Sequence, residues 1–479
     1  MLLRHTLLYL PAQLVGPLFQ LVAMIVWTHV VDEHTLGIIT LVTATHELLL
    51  IGFLAWWSQY ALRFFGRYQD DSEAPRFYRT ENTVLLISVL MQSLAVTGIL
   101  LLVIAPDAKP AVLVATVGYV ITRSLNIYIG ERARVRHQIW VYSIQQVVGP
   151  SVGFIVGLVL IKLLGSSAEW PLAGYAFAQL AAALIVLPKL VYGRHFWPVD
   201  REIVGQALRY GVPLIIGGAL GWVGLNASRF IINEMSGVAA AGLFAVGYGL
   251  GQRAAGVAAM LVTAAAFPLA VRSMERDGSK AAMRQLADNS ALLIAILAPS
   301  LAGIFILRAE IVHLLIAAPF QQATLAILPL SMLAGAIRNL RAHFGDQVFL
   351  LHNRTRWMIA VTAIDAAMTV VLTALCYRYW GMAGAAGATV LAAIAAAAVS
   401  FTIGFSRFGL TLPIGHLTRI TLAMIAMIAL LRLFPEAPRL IVLLEHIAAG
   451  AAVYLATLAV LYAPSLFRML RSRPQHSEA

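Results

Sequence analysis

Charged side chains are scarce in this chain, and the few inside long apolar runs are where its chemistry can lie. His46 and Glu47 are adjacent within an apolar run at 36–62, Arg253 lies in the middle of a run at 238–266, and Asp365 lies about eight residues into a run at 357–377. Arg229 is near the end of a run at 208–232, and Arg123 and Arg338 are toward the ends of runs at 110–130 and 322–344. Ionisable groups within a membrane span are expensive, and by default they face an internal cavity or a partner. A guanidinium is a planar fork suited to phosphate, which it grips by bidentate charge-assisted hydrogen bonds. Arg253 is therefore the first candidate anion contact, joined by Arg229, Arg123 and Arg338. For those three the plainer alternative is snorkelling to the interface. For Arg253 it is an ion pair with Glu47 or Asp365. A carboxylate or imidazole at mid-depth can also carry a proton. His46, Glu47 and Asp365 are thus candidates for coupling or for a cavity ion pair, and their residue types do not separate the two roles.

No Ser-His-Asp array, metal-spaced histidine cluster or phosphate-cradling glycine loop with a following lysine accompanies them. The lone Cys376 leaves no thiolate cluster and no intrachain disulfide. Neither a metal nor a cofactor is implied, and the reading is not that of an enzyme. Asp32 and Glu33 fall in a connector of only a few residues, where a solvated turn explains them.

The elements that must position these groups are membrane helices. Hydrophobic residues make up 60% of the 479, charged residues only 12%, and mean hydropathy is +0.83. A soluble protein carries about a quarter charged residues. Apolar runs long enough to cross a hydrocarbon core recur throughout. Fourteen spans are expected, near 6–30, 36–62, 82–105, 110–130, 140–163, 170–190, 208–232, 238–266, 287–308, 322–344, 357–377, 382–405, 414–432 and 440–463. The first is too long for a signal-peptide core. The net charge of +12 sits in short connectors rather than on one face, so nucleic acid is not the partner. With Met1 inside, about 25 Lys and Arg fall on the cytoplasmic side and 6 on the other. That bias predicts both termini cytoplasmic, in a cell inner (plasma) membrane.

The chain also repeats itself. Gly37 and Gly242, Arg67 and Arg272, and Arg79 and Arg284 are each 205 residues apart. Arg123 and Arg338, Gly130 and Gly345, and Glu131 and Asp346 are each 215 apart, and Ala173-Gly174 precedes Ala383-Gly384 by 210. Spans one to six therefore copy spans seven to twelve. Six is an even number, so the copies share an orientation and should be related by an axis along the membrane normal. The expected fold is an all-α polytopic membrane protein of about 14 transmembrane helices. It has two six-helix lobes, 1–200 and 201–408, related by that pseudo-twofold. Two extra C-terminal helices and a short cytoplasmic tail occupy 409–479. Pro11 and Pro17 in span one and Gly211 and Pro213 in span seven mark matching helix breaks, the candidate hinges of a two-lobed transporter. Proline tolerated in an ordinary membrane helix is the alternative.

LRYGVP at 208–213, Arg229-Phe230-Ile231, AGLFAVGYGL at 241–250 and FP at 267–268 resemble the second-lobe opening of polysaccharide-repeat-unit flippases, the Wzx-type members of the multidrug/oligosaccharidyl-lipid/polysaccharide exporter superfamily. GMAGAAGAT at 381–389 resembles the signature opening their twelfth span. The resemblance implies a flippase moving an undecaprenyl-diphosphate-linked oligosaccharide from inner to outer leaflet, with lipid as partner. A polysaccharide polymerase and export machinery would work beside it, and the chain itself would be a monomer. It also implies that spans 13–14 could hold the lipid tail. Many such proteins carry aspartate just before the span-seven arginine, where this chain has Ser228, so an Asp-Arg pairing is absent here. An ion-coupled multidrug or organic-cation antiporter of the same superfamily is the alternative, though its cavity should be acidic or aromatic. A membrane-embedded glycosyltransferase or ligase is further off, because no large outer loop exists to hold an acceptor.

Overall fold

The computed structural model describes residues 2–68, 73–186, 196–435 and 439–471, and the side chains of these except 2–15, 263–265 and 465–471. Among the described residues the chain is a succession of helices with no strand. They are α1 (Leu2–Val30), α2 (Glu33–Tyr68), α3 (Ala74–Ile104), α4 (Pro110–Val135), α5 (Ile139–Leu164) and α6 (Glu169–Val186). One continuous run, Arg201–Asp277, is divided by Gly237 at φ 84° into α7 (201–236) and α8 (238–277). After α9 (Ser279–Leu315) and α10 (Ala318–Leu351), a second run, Thr355–Phe408, is divided by Gly381 at φ 58° into α11 (355–380) and α12 (382–408). The chain finishes with α13 (Ile414–Leu431) and α14 (Leu440–Arg471). Only glycine takes such positive φ without strain, so both turns are glycine-made. Among the described residues the expected order holds, with about fourteen helices, and the fold is that of an all-α, multi-pass membrane protein.

Local chemistry sets the helix ends. Asp32 caps α2, its carboxylate accepting from the Thr35 N–H at 2.7 Å. That accounts for Asp32 without catalysis. Pro110 opens α4 in the first turn, where its missing N–H leaves nothing unpaired. Gly409 closes α12 at φ 68°, with the Leu410 N–H bonded back to the Gly404 carbonyl.

Two compact units emerge from the packing: residues 1–250 with 356–396, and residues 251–355 with 397–479. In the first, Leu41, Val42, Val96, Leu100, Val120 and Leu172 pack α2, α3, α4 and α6 into one core. A second, aromatic core at the other end of α2 gathers Trp57, Tyr60, Phe65, Phe77 and Tyr128. Two π-turns interrupt this unit, Ile51–Ala55 in α2 and Leu100–Ile104 closing α3. A π-turn loosens the carbonyl ladder, and side chains claim the released groups. Ser88 donates to the Phe53 carbonyl at 2.7 Å and Asn233 to the Val103 carbonyl at 3.0 Å.

In the second unit Leu293, Leu297, Met332 and Ala255 join α8, α9 and α10. The C-terminal pair α13 and α14 packs on α9. Pro299 cannot donate to the Ala295 carbonyl one turn earlier, and the Tyr454 hydroxyl of α14 donates there instead at 2.8 Å. His446 of α14 meets Glu310 of α9 at 3.1 Å, both buried. The appended helices are thus stitched to their unit by polar bonds as well as apolar contact.

Candidate cation-lined site in the first unit

α2 is buried along most of its first three turns, and it delivers two charged candidates side by side with opposite fates. His46 is 1% exposed, with Nε2 3.0 Å from Ser124 Oγ of α4. The Ser124 hydroxyl proton goes to Gln92 Oε1 of α3 at 2.9 Å. Ser124 therefore accepts from His46, which fixes the imidazole as donor at Nε2. The Tyr119 ring meets the imidazole edge-on at 5.7 Å, and the Arg123 charge lies within electrostatic range. His46 is locked into a three-helix hydrogen-bond relay. Glu47, the next residue, is exposed. A carboxylate in the middle of a membrane helix faces water or a polar partner rather than lipid. Tyr119 and Arg229 are both within electrostatic range of Glu47.

α7 supplies Arg229. Its Nη1 donates to Asn226 Oδ1 at 3.1 Å, its guanidinium carbon lies 5.8 Å from the centre of the Tyr248 ring, and its buried Nε has no hydrogen-bond partner among the described residues. Tyr248 is held flat against Phe244 at 5.1 Å. One position earlier, Ser228 Oγ and Thr373 Oγ1 of α11 are 3.0 Å apart, both fully buried. Where relatives of the resembling type carry a charge, this chain has a neutral hydroxyl pair between two helices. Asp365 of α11 is buried against Gly224 of α7, where a Cβ would lie 3.6 Å from its carboxyl carbon.

Of the predicted site residues, the first unit holds His46, Glu47, Arg123 and Arg229, with Asp365 on the α7–α11 contact. Arg253 and Arg338 belong to the second unit. Arg338 is buried on α10, and Arg253 is half-buried on α8, following Gln252, whose side chain donates to the Ser331 carbonyl of α10 at 3.0 Å. The hinge candidates lie in continuous helix. Pro17 and Pro213 leave α1 and α7 helical, and the side chain of Pro11 lies outside the described residues. Gly211 is a contact point, because a Cβ there would come within 2.6 Å of the Trp56 backbone of α2.

A charged cluster went unread in the sequence. Glu81 of α3 and Arg132 of α4, 0% and 3% exposed, pair at 3.1 Å, and Tyr128 donates to the same carboxylate. The Arg132 guanidinium lies over Phe65 at 4.3 Å. The available signal was the spacing of Tyr128, Arg132 and Arg136, one helical turn apart on one face of α4. Among the described residues no group of His, Cys, Asp and Glu is placed to hold a metal ion.

No curated protein matches the chain. Among solved structures it is similar to the lipid II flippase MurJ in an inward closed conformation, with a TM-score of 0.75 and 14% identity over 96% of this chain and 100% of that one. It is also similar to an inward-facing multidrug resistance MATE family transporter of the MOP superfamily, with a TM-score of 0.56 and 17% identity over 82% of this chain and 95% of that one. A third is a MOP superfamily transporter from Pyrococcus furiosus described by the reverse polarity of its binding pocket, with a TM-score of 0.55 and 16% identity over 85% and 95%. These likenesses are of fold. Residues 2–274, more than half the length, match the polysaccharide biosynthesis protein family. With that match and this helical architecture, the chain belongs to the polysaccharide biosynthesis protein family.

Proposed function

We propose that the chain is a flippase, not an enzyme. It carries an undecaprenyl-diphosphate-linked oligosaccharide across the inner membrane by alternating access, for cell-surface polysaccharide biosynthesis. The observation that carries the reading is Arg229, a guanidinium with a buried, unpartnered Nε, in a chain of the polysaccharide biosynthesis family. An unsatisfied buried donor is costly unless a ligand completes it, and a diphosphate is a fitting ligand for a guanidinium. Arg123, Arg253 and Arg338 are the further anion contacts, and His46, Glu47 and Asp365 are the coupling or ion-pair groups. Segments 1–200 and 201–408 act as the two moving lobes, with Pro11, Pro17, Gly211 and Pro213 as hinges, and 409–479 is the appendage. The chain works as a monomer with both termini cytoplasmic, beside a polymerase and export machinery.

The fold neighbours include multidrug transporters, and an organic cation is the competing cargo. A cation would call for an acidic recess, whereas α7 offers a buried guanidinium, Arg229, with an unpartnered Nε. The deciding experiment is a leaflet assay in cells lacking the chain. Lipid-linked repeat units are expected to accumulate on the inner leaflet, and an unchanged distribution refutes the flippase.

A further inference from the structure

α13 and α14 pack as a hairpin whose polar side chains converge at one end. α13 is 18 residues long, about 27 Å at 1.5 Å per residue, close to the thickness of a hydrocarbon core. Its first and last turns therefore sit at the two headgroup levels. His416 and Arg419 stand in the first two turns, three residues apart and so on one face. Tyr462, near the end of the α14 span at Leu440–Pro464, comes to that face. Its hydroxyl oxygen lies 2.5 Å from His416 Nδ1, and the two rings stack at 5.6 Å and 25°. The Arg419 guanidinium carbon lies 4.5 Å from the centre of the same tyrosine ring. All three side chains are half-buried.

An arginine at a span end ordinarily snorkels into the headgroups with no fixed seat. Arg419 is instead laid on a ring, which positions the guanidinium and keeps its in-plane N–H donors for an acceptor. With the Tyr462 hydroxyl donating to Nδ1, neutral His416 carries its proton on Nε2, a second donor on the same platform. The surrounding sequence supplies no carboxylate to answer them. There is none between Asp365 and Glu436, and none between Glu445 and Glu478. Arg407, exposed in the last turn of α12, adds a further cation just before the 409–413 connector. α9, on which the hairpin packs, brings Lys280, Arg284 and Asp288, all exposed, and so no net negative charge at that end.

We propose that Arg419, His416 and Tyr462 form a headgroup site for an anionic phospholipid, with the lipid phosphate accepting from the guanidinium and the imidazole. The Lys and Arg bias of the chain places this end of the hairpin in the cytoplasmic leaflet, where anionic lipids give the surface its negative potential. One guanidinium and a neutral imidazole match the single charge of a phosphodiester. A lipid diphosphate brings more charge than they offset, so the occupant is a resident membrane lipid and not the cargo. The site lies on helices outside the first unit, and the proposal does not rest on the flippase reading. A phosphate held there ties the open end of the α13–α14 hairpin to its leaflet.

The test titrates the purified full chain, delipidated in neutral detergent, with phosphatidylglycerol, phosphatidylcholine and farnesyl diphosphate, and reads binding by native mass spectrometry. The wild type is expected to bind phosphatidylglycerol more tightly than phosphatidylcholine. Arg419→Gln should weaken phosphatidylglycerol about fivefold, the worth of one basic side chain beside an anionic lipid surface, and leave phosphatidylcholine unchanged. Tyr462→Phe keeps the ring and drops the hydroxyl, so it should show a smaller loss of the same kind, which guards against a misfolded glutamine variant. Arg308→Gln, which removes an exposed arginine bonded to the Phe305 carbonyl at the other end of α9, should bind as the wild type does. Equal affinity of the wild type for the two phospholipids, an unchanged Arg419→Gln, or the same loss in Arg308→Gln overturns the proposal. So does farnesyl diphosphate binding more tightly than phosphatidylglycerol and being lost in Arg419→Gln, which would give the site to the cargo.

Discussion

Gly37 and Gly242 pack at the crossing of α2 and α8 in a reciprocal way. A Cβ on Gly37 would strike the Val238 carbonyl, and a Cβ on Gly242 would strike the Glu33 carbonyl and lie 2.8 Å from the Gly37 nitrogen. Positions 33 and 238 are separated by the same 205 residues as 37 and 242. Exchange of equivalent contacts is the signature of a twofold interface. Here it operates within one chain, as a local exchange at the α2–α8 crossing. Small residues permit such backbone approach in membrane helices.

That crossing gives the first prediction. Gly242→Ala should destabilise the protein by about 1–3 kcal/mol, the usual range for overpacking, and Gly37→Ala should do the same. Gly98 has open space around its Cβ position, so Gly98→Ala should be neutral or slightly stabilising. Thermal denaturation of the three variants in one detergent checks this, and equal midpoints for all would remove the crossing from the account.

A second prediction concerns the buried pair at the far end of the first unit. Arg132→Ala leaves Glu81 uncompensated among Trp57, Phe77 and Tyr128, and should cost about 3–5 kcal/mol. Replacing both partners, as Glu81→Gln with Arg132→Met, should recover much of that loss, since an intact buried pair itself gains little over apolar packing. Folded yield by size-exclusion profile distinguishes the two cases.

Export provides a third. Arg253→Ala and Arg229→Ala should each block appearance of the polymer at the cell surface while the protein stays in the membrane. Arg229→Lys should restore little, because a point charge does not reproduce a fork that reaches Asn226 and Tyr248 together. Surface polysaccharide by antibody or lectin, with membrane immunoblots alongside, is the measurement. Normal export by both alanine variants would remove them from the substrate path.

The fourth lies outside the spans. Burial alone would raise the Asp200 carboxyl, but the Ile203 and Glu202 N–H groups and the Arg76 guanidinium, 2.6 Å away, more than offset it and hold the group below its ordinary value. A carboxyl lowered on folding stabilises above its unfolded pKa, near 4, and that contribution fades as pH falls through the lower folded value. Asp200→Asn should therefore melt below the wild type at pH 7, with the gap narrowing below about pH 4. A gap that is constant with pH would mean the carboxylate is not the source.

What could be read in advance was whatever depends on period and on gross transfer energy. The all-helical, multi-pass character and the helix order follow from apolar runs, and the structure keeps them; the 205-residue repeat follows from landmark spacing. Single charges were legible as candidates because a membrane makes each one conspicuous. Their partners were not. His46 bonds Ser124, which is 78 residues away, and nothing local announces which hydroxyl of another helix will arrive there. Glu81 and Arg132 were overlooked for the opposite reason. Both lie near span ends, where charge is ordinary, and only tertiary packing buries them. Ser228 was visible as a departure from the resembling family, but its bond to Thr373 belongs to the α7–α11 contact and had no trace in spacing.

The π-turn at Ile51–Ala55 bears on the repeat itself. A turn of that kind takes in one residue more than regular helix, which rotates everything after it by about 100° relative to an unbroken helix. α8, which the 205-residue spacing aligns with α2, runs on from Val238 with no such turn. The two copies therefore keep step in number, with Arg67 and Arg272 still 205 apart, but fall out of phase beyond residue 55. Side chains that align in the repeat then point to different neighbours. The exchange of contacts at Gly37 and Gly242 lies before this turn, and the contact of Trp56 with Gly211 lies just after it.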